Sequence, residues 1–526
     1  MALVAAVAAL SAAAAPSVYR SPLTRVASVD PLRAGSVYDA AVVAHIYETL
    51  LDVDYVKRPY SIAPGLASLP EVSQDGLEYV FHLKPGHKFA NGREVVAEDY
   101  VYSLNRLGDL SNASSGSWIM KDVDSVAAEG PRTLRVRLKR PVHYFPWLLT
   151  MSYTGAVPRE DVERLGPEFG RTACGSGPYR LVEWRRNHKM RFERNVGWPG
   201  WTDGTVRNPR PFDAVEYLHV EDPSTKWLMF LGGELDFLGE VARDNWDAVV
   251  GRDGKLVPEL VEKGIRLDSY EALQVDYIGI NMEDPVLGKN AKLRQALNCA
   301  FDSAAWGRFS NGTSMPCDGP VPPGVEGRLE TPFQYSFDVE KAKRLLEEAG
   351  YANGTDPATG RRLVLSVALG RATQDMREST ELLASFFAKI GIVLEGRYFT
   401  WEAFLQAVRE RRVQMFRMGW VGDYPDAQNF LQLFYAPNAS PGPNRSNYSN
   451  PAFDRAYEAA MAATDAGARN EAWAKAQEIV REDCPWIFLA FRRSFTLLRP
   501  GVGNYHPTDF SYGTEKYLEN NRGEAK

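Results

Sequence analysis

From residue 293 to residue 420 the hydrophobic period switches repeatedly between helical and strand spacing, and that rhythm limits the folds open to the chain. LRQALNCAFD (293–302) and VEKAKRLLEEAGY carry apolar residues at helical spacing, the second stopped at Gly350. RLVLSVAL (362–369) then reads as strand, STELLASFFAKIG as helix and IVLEGRYF as strand. WEAFLQAVRERR follows as helix and VQMFRMGW as strand. Strands separated by helices join as β-α-β units, so this region predicts an α/β domain with a partly parallel sheet. No unit of 20 to 50 residues repeats, which excludes a solenoid.

The earlier chain has a different texture. Apolar residues at helical spacing run from Val42 to Leu51, with Ser36 and Asp39 as start signals. GLEYVFHLKPGHKFANG alternates and then turns twice, which is strand and hairpin material. Residues 97–107 read as an amphipathic helix and RTLRVRL (132–138) as another strand. CGSGPYRLVEWRRNHKMRFERN predicts paired strands, and DAVEYLHV (213–220) a further one. DPSTKWLMFLGGELDF predicts a helix ending at Gly232–Gly233. VDYIGIN (275–281) has the continuous apolar character of a buried strand.

With 526 residues, 44% hydrophobic and 24% charged, the chain has length for two or three globular domains. Its net charge of −6 comes without a long run of either sign. A nucleic-acid partner would call for a basic stripe, so that class is excluded. MALVAAVAALSAAAA is apolar, too short to span a membrane, and ends in small residues, as a cleaved secretory signal does. No Lys or Arg precedes it; the first is Arg20. No cysteine follows it to carry a lipid, so an exported product is expected. Cys174, Cys299, Cys317 and Cys484 form no C-x-x-C pair, and their redox state is open at this level.

Catalytic and metal constellations do not assemble. There is no H-E-x-x-H, and His82 and His87, five apart around a turn, read as packing or surface residues. CGSGPY lacks the G-x-S-x-G elbow and its strand-to-helix setting; a tight turn accounts for its glycines. No G-x-x-x-x-G-K-[ST] phosphate cradle occurs. The expectation is a protein without catalysis, cofactor or metal. What remains is MGWVGDYPDAQNF, where Asp423 sits beside Gly419, Gly422, Trp420 and Tyr424. Asp423 is either a charge that reads a ligand or an ordinary turn residue before a Pro-containing loop.

Several segments, in order, resemble the large extracytoplasmic solute-binding proteins of bacterial ABC importers, family 5, which includes dipeptide- and oligopeptide-binding proteins. They are AGSVYDAAVVAHIYETLLDVD (34–54), DGLEYVFHLKPGHKFANGREVVAEDYVYSLNRL (75–107) and GSGPYRLVEWRRNHKMRFERN (175–195). DYIGINMEDPVLGKNAKLRQALNCAFD (276–302), FDVEKAKRLLEEAGY (337–351) and GWVGDYPDAQNFLQLF (419–434) follow. SNPAFDRAYEAAM (449–461) with CPWIFLAF (484–491) completes the set.

The resemblance implies an α/β, two-lobed periplasmic-binding-protein-like fold, type II, of the large class with an extra inserted subdomain. After a signal-like segment (1–15), lobe 1 would comprise 16–57, 154–280 and 496–526, with 58–153 as the inserted subdomain and 281–495 as lobe 2. The crossings would fall near Asn281 and Thr496. It further implies that Asp423 holds a peptide's α-amino group, with Gly419 and Gly422 letting backbone approach the ligand and Trp420 and Tyr424 walling the cleft. Gly35, Ser36 and Tyr38 would lie along the ligand backbone. Arg377 or Arg371 would receive its carboxylate, and Asn447, with Asn444 and Arg445, would face the cleft. The implied partners are a short peptide and an ABC permease in the inner membrane, and the implied state a periplasmic monomer. An oligosaccharide or other small solute is the alternative within the family, and a secreted peptidase the alternative outside it.

Overall fold

The computed structural model describes residues 15–172, 174–239, 241, 243–251, 254–510 and 512–523. Residues 1–14, which hold most of the signal-like run, lie outside them. Three sheets carry the architecture. The first has four strands, with Val18–Leu23 parallel to Ala214–His219, and Lys189–Arg194 and Tyr179–Arg185 added antiparallel. The hairpin read from RLVEWRRNHKMRFER is its edge. The first helix occupies Val37–Ile46, earlier than the Val42–Leu51 pattern predicts. Ser36 caps it, and Tyr47 is already extended at φ −118°, so the apolar residues beyond Ile46 enter a turn and the strand Leu51–Val53 instead.

The second sheet is antiparallel and built wholly from residues 71 to 138. Helix Ala97–Gly108 covers it, burying Tyr100, Leu104 and Leu107. Each such side chain removed from water contributes about 1.5–3 kcal/mol.

The third sheet has seven strands. Val364–Leu369 lies parallel to both Val393–Tyr398 and Met415–Val421, as the β-α-β rhythm predicts. Helices Ala291–Ala300, Val339–Glu348 and Gln374–Ala388 bring buried Leu297, Leu346, Phe386 and Phe387 to its core. The stops at Gly233 and Gly350 are left-handed, at φ 83° and 89°, a conformation that favours glycine.

Two long antiparallel strands, Arg266–Ile280 and Trp486–Leu498, run through this sheet from end to end. Their register holds from Arg266↔Leu498 to Glu271↔Arg493, shifts, and resumes at Val275↔Phe491. Phe237–Leu238 pairs with Trp486–Leu498 at Leu497 and Leu498, and Met415–Val421 pairs with Arg266–Ile280 from Gln274 to Ile280, on the opposite side of the pair. A bulge of this kind bends a strand and raises its twist. Backbone groups at the bulge find other partners. The Leu273 N–H donates to Asp509 Oδ2 at 2.7 Å, and the Leu273 carbonyl accepts from the Gly422 N–H at 2.7 Å. The shift precedes Asn281, whose N–H donates to the Gln414 carbonyl at 2.9 Å just beyond the paired strand ends Ile280 and Met415.

All four cysteines are free thiols. Among the described residues no helix is long and apolar enough to cross a membrane, and no group of three or more His, Cys, Asp or Glu side chains is placed to hold a metal. His87 pairs with Glu48 at 2.9 Å in the core, and His82 faces Glu71 at 3.3 Å on the surface.

Candidate functional site

Strand Met415–Val421 ends in a loop that leads into the short helix Ala427–Leu431, capped by Asp426, whose Oδ1 accepts from the Gln428 N–H at 2.8 Å. Asn429 on that helix is fully buried. Its Oδ1 accepts from Trp420 Nε1 at 2.9 Å and from the Asp423 N–H at 3.1 Å, and its Nδ2 donates to Asp423 Oδ2 at 3.2 Å. One amide therefore fixes the indole, the loop backbone and the carboxylate together. Burial pushes the Asp423 carboxyl above the usual carboxylate range, and the Asn429 bond pulls it back only in part. No Lys, Arg or His pairs with Asp423 among the described residues. The hydroxyls of Tyr153 and Tyr512, from two other segments, feel its charge.

Other expected residues divide between site and scaffold. Gly35 lies under Ser115, where an added Cβ would stand 3.0 Å from Oγ, and Ser115 Oγ is 2.8 Å from the Tyr153 hydroxyl. That places the 35–38 segment beside the Asp423 end, with Tyr38 exposed. Ser36 is committed to its helix, accepting from the Asp39 N–H at 3.1 Å and donating to Asp39 Oδ2 at 2.7 Å.

Tyr424 does not wall an open cleft. It is 2% exposed and stacks on Tyr144 with centroids 5.1 Å apart and planes at 8°. Gly422 and Gly419 make room for protein rather than ligand. A Cβ at Gly422 would stand 2.9 Å from the Phe430 ring, and one at Gly419 2.5 Å from Asp276 Oδ1. Asn447, at φ 55°, accepts from the Ser440 N–H at 3.1 Å and so holds its own loop, as buried Asn444 does through Tyr435 and Tyr448.

A cavity of about 640 Å³ opens at the other end of the strand, walled by Trp246, Phe495, Met376, Arg371, Arg417 and Arg492 among others. Arg417 projects from Met415–Val421 itself. Its Nη1 donates to Ser379 Oγ at 2.7 Å, its guanidinium lies 5.0 Å from the Trp306 ring centroid, and burial lowers its pKa. It has no carboxylate at ion-pair distance among the described residues. Arg371 lines this cavity, whereas exposed Arg377 turns from it to lie 4.6 Å over the Tyr398 ring. Helical geometry explains the difference: Arg377 is already inside Gln374–Ala388, on the face toward Val393–Tyr398. Between the two ends, Asp276 stands opposite Gly419 and accepts from Gln274 Nε2 at 2.8 Å.

Sequence reasoning missed Asn429, Arg417, Arg492 and Asp276. A signal existed for three of them. A charged residue in the middle of VQMFRMGW, FLAFRRSF or VDYIGIN costs too much to bury without a use.

Contacts also close across the site. Besides the Tyr144–Tyr424 stack, His143 Nε2 is 3.0 Å from Asp426 Oδ2, and Arg243 Nη1 is 2.6 Å from Glu378 Oε2. A lone carboxylate at one end, arginines at the other and two packed halves around them define a protein that encloses a small solute.

Comparison with known proteins agrees. The family described as bacterial extracellular solute-binding proteins, family 5 (middle region), matches residues 61–442. The periplasmic oligopeptide-binding protein OppA of Escherichia coli K12 is 27% identical over 527 residues, covering 94% of this chain and 91% of the relative. Heme-binding protein A of Haemophilus influenzae is 26% identical over 505 residues, covering 91% and 87%. Among solved structures, the periplasmic binding protein DppA of Helicobacter pylori in complex with the peptide STSA superposes with TM-score 0.75 at 24% identity, covering 95% of this chain and 96% of that one. The chain belongs to family 5 of the bacterial extracellular solute-binding proteins, and its fold is the two-lobed α/β fold of that family.

Proposed function

We propose that the protein captures a short peptide between its lobes, binding the α-ammonium at Asp423 and the terminal carboxylate at Arg417, and delivers it outside the cytoplasm to the permease of an ABC importer. The observation that carries this reading is Asp423 itself. A half-buried carboxylate held by a single amide and given no cation is costly until an ammonium arrives, and a charge-assisted bond in a closed cleft is then strong. A similar fold holds a peptide in DppA, and a relative of like identity is an oligopeptide binder. Because another relative of like identity is named for heme, the site's chemistry has to decide among solutes.

Length follows from reach. Six residues separate Arg417 from Asp423, roughly 20 Å at strand rise. An extended peptide advances about 3.3–3.6 Å per residue, so about six residues is an upper bound, and inward-reaching side chains shorten it. The lobes follow the division implied by the resemblance, with one change. We place the crossings at the bulge, residues 272–274 and 491–493, rather than at Asn281 and Thr496. There the mutual register of the two long strands is interrupted, and closure has a place to bend.

Mass spectrometry of what the purified protein releases on denaturation tests the reading. Peptides of two to six residues with free amino termini are expected. A glycan or another amine-free solute would overturn it.

A further inference from the structure

The arginine end holds more positive charge than one terminal carboxylate can balance. Of the cavity's four arginines, Arg243 is matched by Glu378 at 2.6 Å and Asp375 at 3.3 Å. Arg371, Arg417 and Arg492 have no carboxylate at ion-pair distance among the described residues. The remaining acid on the wall, Asp222, caps its own helix, accepting from the Thr225 N–H and Oγ at 2.7 Å each. The 15-residue helix Gln374–Ala388 also starts at this wall. Its N-cap, Thr373, makes no side-chain bond to the first turn, so the positive end of the helix adds to the field inside the cavity.

We propose that this cavity is a subsite for a second acidic group, so that the preferred ligand is a peptide whose C-terminal residue carries a side-chain carboxylate. This rests on the peptide reading above and specifies its substrate class. Arg417, already oriented by Ser379, takes the terminal carboxylate. Arg371, on the loop after Val364–Leu369, and Arg492, on Trp486–Leu498, flank it from two elements and take the second acid. Arginine suits the task because its planar fork meets a carboxylate with two parallel bonds. A neutral side chain of the same shape would leave two guanidiniums on the wall without an anion.

Titration calorimetry with Ala-Ala-Ala, Ala-Ala-Gln and Ala-Ala-Glu tests this on the intact protein. Ala-Ala-Glu is expected to bind about tenfold or more tighter than Ala-Ala-Gln, as a charge-assisted bond exceeds a neutral one. Arg371→Gln and Arg492→Gln should each shrink that ratio, with each variant's own Ala-Ala-Gln affinity as its reference. Arg492→Lys, which keeps the charge, should retain most of it. Arg371 is exposed, so its substitution does not threaten folding. Equal affinity for the Glu and Gln peptides would overturn the subsite and leave the peptide reading standing, as would a preference that survives both Gln variants. Failure of all three peptides to bind, with an amine-free solute released on denaturation, would overturn both.

Discussion

Asp423 and Asn429 form the smallest unit of the account. Asp423 is half-buried without a cation, and desolvation holds its carboxyl above the usual range. Replacing it with Asn keeps the shape and the Asn429 contact but removes the charge. Peptide affinity should fall by about 2–5 kcal/mol, the cost of breaking a buried charge pair, read by calorimetry. The pH dependence has a definite sign. An ammonium favours the ionised carboxylate, so the complex binds fewer protons than the free protein around the raised pKa. Affinity is therefore level at neutral pH and falls as pH drops through that value, with one proton released per peptide bound. An affinity that rises on acidification would contradict the assignment. Asp423 itself was legible in MGWVGDYPDAQNF, though turn and anchor readings were equally open there. Asn429 was not, because an amide six residues on becomes the anchor's support only when the loop folds back on the helix.

At the scale of elements, period and punctuation carried far. The helices from Ala291 to Arg409, the strands among them and the stops at Gly233 and Gly350 follow from spacing and punctuation, since a strand's period of two and a helix's of 3.6 leave different marks. The first helix, Val37–Ile46, does not follow its Val42–Leu51 pattern. The bulge in Arg266–Ile280 left no such mark. It depends on Leu273 finding Asp509 and Gly422, which lie 236 and 149 residues away. The glycines of the aspartate loop show the same gap. Sequence assigns Gly422 to ligand approach; the structure packs it on Phe430 and Leu273. Gly422→Ala should therefore destabilise the protein by about 1–3 kcal/mol, the usual cost of overpacking, seen as a lower midpoint in thermal unfolding. A ligand-approach role would instead weaken peptide binding and leave the midpoint unchanged.

For the whole molecule, the bulge in Arg266–Ile280 is held by bonds to distant segments, and one side chain contributes to them. Burial raises the Asp509 carboxyl to about 6, while its bonds from Leu273 and Tyr270 pull the other way. The folded state then binds a proton more tightly than the unfolded chain. The resulting stability is fully present below the unfolded value near ~3.9 and is lost as pH rises through about 6, up to about 3 kcal/mol. Asp509→Asn, which can still accept from Leu273, should flatten the stability profile between pH ~4 and ~6 and stabilise the protein at neutral pH, as denaturant titrations would show. An unchanged slope would remove Asp509 as its source. Contact between distant segments is the other property of the whole: Tyr144 stacks on Tyr424, His143 meets Asp426 and Arg243 meets Glu378.

The central claim, that Asp423 anchors a peptide's α-ammonium, is tested most directly by calorimetry of one tripeptide and its Nα-acetylated form against the protein and its Asp423→Asn variant. The account predicts that acetylation costs the unaltered protein about 2–5 kcal/mol of binding and costs the variant little. Equal binding of the free and acetylated peptides by the unaltered protein would contradict it.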